Sequence, residues 1–241
     1  MNIASKSLFV LLGLVIAALC VSAQTPDLRP DAQGSPVPVI TFDLVRPGMN
    51  PPHWAIAVES TGRAAYRSDP APENEKIDGD PYIVKFTVSD ATSRRIFELA
   101  EQTNRFQGNF DYTKSRIADT GTKTLTYTVG HLPSNLAQPV KGQRNQTSYN
   151  WSSNPAIQEI TSIFQGIATT LEFARRLDFS RRFDKLGLDA ELKRMEEMQK
   201  AGQLYEVRAV APTLTNIMND VSVMHIARER AKRILKAASP S

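Results

Sequence analysis

Apolar and polar residues alternate in several short stretches over the first two thirds of the chain. At 40–45 and again at 54–58, apolar residues recur at every second position. Side chains of a strand point alternately to its two faces, so this period of two predicts strands with one buried face. Thr61 and Gly62 predict a tight turn that joins two of these strands into a hairpin. The predicted strands are 40–45, 54–58, 63–67, 82–88, 123–129 and 147–151.

Two longer stretches show the helical period instead. Ser89 stands where an N-cap belongs, with Asp90 in the first turn, and this predicts a short amphipathic helix over 90–103. Asn154 followed by Pro155 is a strong helix start. The helix that follows is predicted to pack on the sheet through one apolar face, formed by Ile157, Ile160, Phe164, Ile167, Leu171 and Ala174.

The strand pattern ends after Asp178, and 181–241 is predicted to form three helical stretches. These are 189–202, 204–217 with a kink at Pro212, and a last helix capped by Asp220. The predicted class is therefore α+β, an antiparallel sheet packed by two helices and followed by a C-terminal helical hairpin region. The last two stretches resemble one HEAT repeat, but such repeats need about three stacked units. An ordinary helical hairpin, packed on the main domain or on a partner, is favoured.

The N-terminus has the pattern of a secretory signal peptide. Lys6 precedes an apolar run over 8–21, and Val21-Ser22-Ala23 is typical of a cleavage site. We expect an exported protein, periplasmic or secreted after cleavage near Ala23. The predicted organisation is 1–23 signal peptide, 24–38 flexible linker, 39–180 α+β domain and 181–241 helical C-terminal region.

Two other interpretations of the N-terminal apolar run are less favoured. An uncleaved anchor would need an apolar run of roughly 20 residues, longer than the one present. A lipid anchor on Cys20 would normally follow a small residue, and Leu19 is not small. Cys20 is the only cysteine, so the mature chain would have neither disulfides nor thiol chemistry.

Charge argues against nucleic acid as a partner. The formal net charge is only +4, and the basic residues occur as scattered pairs such as Arg94-Arg95 and Arg181-Arg182. Nucleic-acid binding favours a continuous basic stripe. We therefore expect no nucleic-acid partner, and no membrane span once the signal has been cleaved.

The stretch from Trp54 to Phe173 resembles a family of small exported α+β domains, and it is similar in outline to the emfourin-type metalloprotease inhibitors. The resemblance depends on Gly62, the segment VSDATSRRIFELAEQTNRF (88–106), Asp119 and TLTYT (124–128). No catalytic motif belongs to that pattern, and this chain adds a long loop at 130–146. The resemblance implies an exported α+β fold.

Asp119-Thr120-Gly121 is the one candidate catalytic motif. Aspartic proteases use Asp-Thr-Gly, and a homodimer would bring two such aspartates together to share a proton. The residues before Asp119 lack the apolar character of that family, and no later half-site is found. A turn before the strand at 123–129 is the favoured interpretation.

Metal sites have weak candidates. The acidic loop at 68–81 offers Asp78 and Asp80 as calcium ligands, but its spacing matches no EF-hand, and three prolines favour a stiff solvated loop. His53, His131 and His225 lie far apart, and none has a second ligand at metal-site spacing. Neither a metal nor a cofactor is predicted.

The chain also lacks G-x-S-x-G, P-loop, G-x-G-x-x-G and H-E-x-x-H motifs. The leading hypothesis is a non-enzymatic exported protein that contacts a protein partner in the cell envelope. Two long loops, 68–81 and 130–146, and the helical C-terminal region motivate it. A hydrolase and a small-molecule or ion binder are the alternatives, and the oligomeric state is left open.

Overall fold

The computed structural model describes residues 35–70, 80–133, 136 and 144–238. Its six strands form one antiparallel sheet in the order β4-β3-β2-β1-β5-β6, and five α-helices accompany it in the described residues. The predicted α+β class is confirmed. The predicted signal peptide and most of the predicted linker lie outside the described residues. The strands are β1 (Val37–Val45), β2 (His53–Glu59), β3 (Arg63–Asp69), β4 (Tyr82–Thr87), β5 (Thr122–Gly130) and β6 (Arg144–Tyr149).

β1 lies at the centre of the sheet and pairs with β2 on one side and β5 on the other. Its alternating residues Ile40, Phe42 and Leu44 are buried on one face. The Phe42 ring stacks on Trp54 of β2 and on Phe164 of a helix, with ring centroids 5.3 Å apart in each pair. Each such side chain stabilises the fold by roughly 1.5–3 kcal/mol through burial.

Two helices cover this face, and both begin at the predicted caps. In α1 (Asp90–Gln102) the Ser89 side chain accepts a hydrogen bond from the Thr92 backbone N–H. In α2 (Pro155–Phe183) the Asn154 side chain accepts from two backbone N–H groups of the first turn. Capping satisfies donors that have no partner inside the helix, which explains why these two helix starts could be predicted.

Three further helices follow, α3 (Lys185–Lys200), α4 (Ala211–Asn219) and α5 (His225–Ala237). The predicted kink at Pro212 is wrong, because this proline lies in the first turn of α4, where it needs no N–H partner. The predicted cap at Asp220 is also wrong. Its carboxylate accepts from the Ser222 backbone N–H, in the turn that precedes α5.

One hydrophobic core runs from the sheet into the C-terminal helices. Leu177 of α2, Leu188 of α3 and Ile234 of α5 are fully buried in the same cluster as Phe42. α2 spans 29 residues, and its last turns pack among these helices. The position 180/181, where the sequence suggests a boundary, therefore lies inside α2.

Candidate functional site

The Asp119-Thr120-Gly121 segment forms a tight turn immediately before β5. Asp119 Oδ1 accepts a hydrogen bond from the Gly121 backbone N–H at 2.8 Å. The Thr120 hydroxyl donates to the carbonyl oxygen of Asn150 at 2.8 Å, which ties the turn to the end of β6. Gly121 has φ +91°, and a Cβ there would lie 2.8 Å from Arg46 Cβ. Catalysis at Asp119 stays a prediction, and the segment itself has the geometry of an Asx turn.

A buried lysine holds this turn from inside. Lys123 Nζ lies within hydrogen-bond distance of four oxygens, and none of them belongs to a carboxylate. The shortest contact, 2.6 Å, joins Nζ to the Asn150 carbonyl oxygen. Burial lowers the pKa of Lys123, and the charge of Arg46 acts in the same direction. The ammonium group therefore cross-links the turn to the end of β6 as an internal cation.

The candidate calcium ligands are placed only in part. Asp80 is exposed and lies two residues before β4, whereas Asp78 lies outside the described residues. Over 35–70, 80–133, 136 and 144–238, no group of three or more His, Cys, Asp or Glu side chains is arranged to hold a metal ion. The calcium hypothesis for this loop stays a prediction.

The sheet brings together a charged cluster that the sequence does not reveal. His53 of β2 lies between Asp43 of β1 and Asp69 of β3, with Nε2 2.8 Å from Asp43 Oδ2 and Nδ1 2.6 Å from Asp69 Oδ2. Hydrogen bonding to Asp43, and then to Asp69, raises the pKa of His53 to about 9 despite its partial burial. The ring is an imidazolium at neutral pH, with both nitrogens donating, so neither nitrogen is available as a base or a metal ligand.

This cluster predicts a pH-dependent stability. The folded-state pKa of about 9 exceeds the unfolded value of 6.5, so the stabilisation is complete below pH 6.5 and is lost as the pH rises to 9. The shift corresponds to about 2–3 kcal/mol for a side chain that is one quarter exposed. His53→Gln will therefore be less stable than wild type at pH 6, and the difference will close by pH 10.

Chemical denaturation at the two pH values measures that difference. His225→Gln is the matched control, because this histidine is exposed at the start of α5 and forms no ion pair among the described residues. A difference between wild type and His53→Gln that stays constant with pH would contradict a stabilising role for the charged cluster of His53, Asp43 and Asp69.

Exposed apolar side chains are concentrated at one end of the helical region. Of the ten large apolar side chains that the structure describes as exposed, six lie between residues 179 and 226. We call this set the apolar end. Phe183 is 72% exposed, Leu186 80% and Val221 87%. The six residues are Phe179, Phe183, Leu186, Val221, Met224 and Ile226.

The apolar end is formed by two corners that lie side by side. The α2–α3 corner carries Phe179, Phe183 and Leu186, and the α4–α5 corner carries the other three. Arg181 Nη1 and Asp220 Oδ2 form an ion pair at 3.2 Å between the corners. Lys185 Nζ donates to the Ser222 hydroxyl at 2.8 Å. The Phe179 and Phe183 rings contact each other, with centroids 5.1 Å apart.

The charges that flank Phe183 are mostly basic. Arg182 and Lys185 are both exposed, and neither forms an ion pair with another residue in the described part of the chain. Asp184 caps α3 by accepting from the Gly187 backbone N–H at 2.9 Å. The α2–α3 corner therefore presents aromatic and aliphatic surface beside Arg182, while the charge of Lys185 is partly balanced by Asp220 of the α4–α5 corner.

Comparison with known proteins gives no assignment: no protein-family model, no curated protein and no solved structure matches the chain. The emfourin-like outline of 54–173 stays an expectation. None of the helices in the described residues is long and apolar enough to span a membrane.

Proposed function

We propose that the chain is an exported, non-enzymatic interaction module that binds a partner protein in the cell envelope through the apolar end. The observation that carries the proposal is the concentration of exposed apolar side chains on the two helical corners. Such patches on a soluble protein typically mark a binding surface. The signal-peptide pattern at the N-terminus supports the location.

The composition of the apolar end is suited to a specific contact. Its six residues are between 39% and 87% exposed. Two of the six are phenylalanines, and aromatic side chains are common anchors at the centre of interfaces. We therefore expect these six side chains to form the apolar centre of the contact.

Charge indicates what kind of partner fits. Arg182 borders Phe183 and forms no ion pair among the described residues, and Lys185 adds a second positive charge that Asp220 balances only in part. Electrostatic complementarity favours a partner whose apolar side chains are bordered by Asp or Glu. We propose such a surface on another envelope protein as the occupant, and a second copy of this chain is the competing outcome.

The test compares two isoleucines of equal exposure. Ile226 in the apolar end and Ile83 on β4 are each 54% exposed. The full-length protein is immobilised, and the envelope proteins that it retains are identified by mass spectrometry. The partner found in this way is then purified and titrated against the wild type and each variant. We expect Phe183→Ser and Ile226→Ser each to weaken the binding at least tenfold, and Ile83→Ser to leave it unchanged.

Sedimentation analysis of the protein alone separates the two occupants. If the wild type self-associates and Phe183→Ser is monomeric, the occupant is a second copy and the proposed envelope partner is wrong. Equal binding by Ile83→Ser and Ile226→Ser would remove the apolar end as the contact.

A further inference from the structure

A cleft separate from the apolar end lies between the β1–β2 turn and helices α2 and α3. Its volume is about 540 Å³, within the range that holds one small organic molecule. The turn contributes Met49 and Pro51 to one wall, and α3 contributes Arg194 and Met198 to the opposite wall. α2 closes the cleft along its length.

Apolar side chains form about half of the inner surface of the cleft. Leu44 and Trp54 of the sheet and Phe173 of α2 line it, and each is at least nine-tenths buried. Met49 and Met198 face the cleft from its two walls. Thioether side chains are flexible and polarizable, so these walls can adapt to ligands of different shape.

The acidic groups of the cleft already have partners. Glu172 Oε1 accepts hydrogen bonds from the Tyr66 and Ser68 hydroxyls at 2.8 and 2.7 Å, and Oε2 accepts from Arg175 Nε at 3.0 Å. Glu191 accepts from Arg176 Nε at 3.1 Å. Neither carboxylate therefore adds uncompensated negative charge to the cleft.

Two cations in the cleft are not compensated. Arg46 lines it from the end of β1 and Arg194 from α3. Within the part of the chain that the structure describes, neither guanidinium forms a hydrogen bond or an ion pair with another residue. Two free guanidinium groups beside an apolar surface are suited to a ligand with an anionic head and an apolar body.

From this arrangement we infer that the cleft binds a small organic anion. The aromatic or aliphatic body of the ligand lies over Leu44 and Trp54, and its carboxylate or sulfonate is bound by Arg46 and Arg194. The inference does not depend on the proposed protein partner, because no residue of the apolar end lines the cleft.

The experiment uses two fluorescent probes that differ in charge. 8-Anilinonaphthalene-1-sulfonate has an aromatic body with a sulfonate, and N-phenyl-1-naphthylamine has a similar body without it. The chain has two tryptophans, Trp54 in the cleft and Trp151 outside it. We expect the sulfonate probe to shift the indole N–H resonance of Trp54 in full-length protein and to leave that of Trp151 in place.

Single charge deletions then test the two arginines. We expect Arg46→Gln and Arg194→Gln each to raise the Kd for the sulfonate probe about tenfold, as for the loss of one charge-assisted hydrogen bond. The Kd of the neutral probe should change less than twofold. Arg208→Gln, an exposed arginine outside both the cleft and the apolar end, is the matched control and should bind both probes as wild type does.

Three outcomes would overturn the inference. In the first, the Trp54 resonance fails to move at saturating sulfonate probe. In the second, both arginine variants bind that probe with wild-type affinity. In the third, the variants raise the Kd of the charged and the neutral probe by the same factor. Thermal melts of each variant separate a lost site from a lost fold. Probe binding that disappears in Phe183→Ser while Trp54 stays unshifted would assign the binding to the apolar end instead.

Discussion

Replacing Lys123 with methionine will lower the free energy of unfolding by about 3 kcal/mol. The methionine side chain has a similar length and no donor, so the carbonyl oxygens of Thr120 and Gly121 lose this partner, whereas that of Asn150 keeps its hydrogen bond from the Thr120 hydroxyl. Each buried acceptor left without a hydrogen bond costs about 1–3 kcal/mol. Removing the buried charge recovers part of the desolvation cost, which is why the expected loss is smaller than the sum.

Urea denaturation followed by circular dichroism measures the loss. Lys85→Met is the matched control, because Lys85 is also a strand lysine but is exposed on β4. We expect the control to differ from wild type by less than about 0.5 kcal/mol. A Lys123→Met protein as stable as the control would show that the turn does not need its internal cation.

Glu196→Gln will cost a similar amount, about 3 kcal/mol at pH 7. Glu196 of α3 is buried and accepts hydrogen bonds from Arg230 and Arg233 of α5, and its Oε1 lies 3.3 Å from Lys200 Nζ. Hydrogen bonding to Arg233 is the main reason that the pKa of Glu196 falls to about 2. Glutamine keeps the shape of the side chain and removes the charge that holds α5 on α3.

The pH dependence gives a second, independent readout. The folded-state pKa of Glu196 lies below the unfolded value of 4.5, so its stabilisation is present above pH 4.5 and is lost as the pH falls towards 2. The difference between wild type and Glu196→Gln should therefore shrink over that interval. Glu197→Gln is the control, because Glu197 and its partner Lys193 are exposed and 4.0 Å apart. A difference that is the same at pH 7 and pH 2.5 would contradict this assignment.

The strands and the starts of α1 and α2 could be predicted because each carries its own local pattern. Alternation at 40–45 requires only that one face of the strand be buried, and Asn154 with Pro155 encodes a helix start within two residues. The end of α2 and the start of α3 lack such signals. Asp184 caps α3 with only one residue between the two helices, so the sequence predicts a later start at Asp189.

The candidate sites depend on residues that are distant in the chain. Asn150 lies 27 residues after Lys123, and Asp69 lies 16 residues after His53. The hydrophobic periodicity of the sequence therefore does not predict either contact. The Asp-Thr-Gly motif attracts attention because it is local, whereas the lysine that holds it has no motif. The solvent exposure of the apolar end could not be predicted either, because the exposed Phe183 and the buried Phe173 occur in the same helical pattern.

The position of β1 at the centre of the sheet has a consequence for the order in which the molecule folds. Its second neighbour, β5, lies about 80 residues further along the chain. Pairing over such a long separation is slower than closure of the local β1–β2 hairpin, so one hydrogen-bonding edge of β1 stays open after the hairpin has formed. An unpaired apolar strand edge readily pairs with other chains. The partly folded hairpin, and not the finished protein, is therefore the species most prone to pair with another chain.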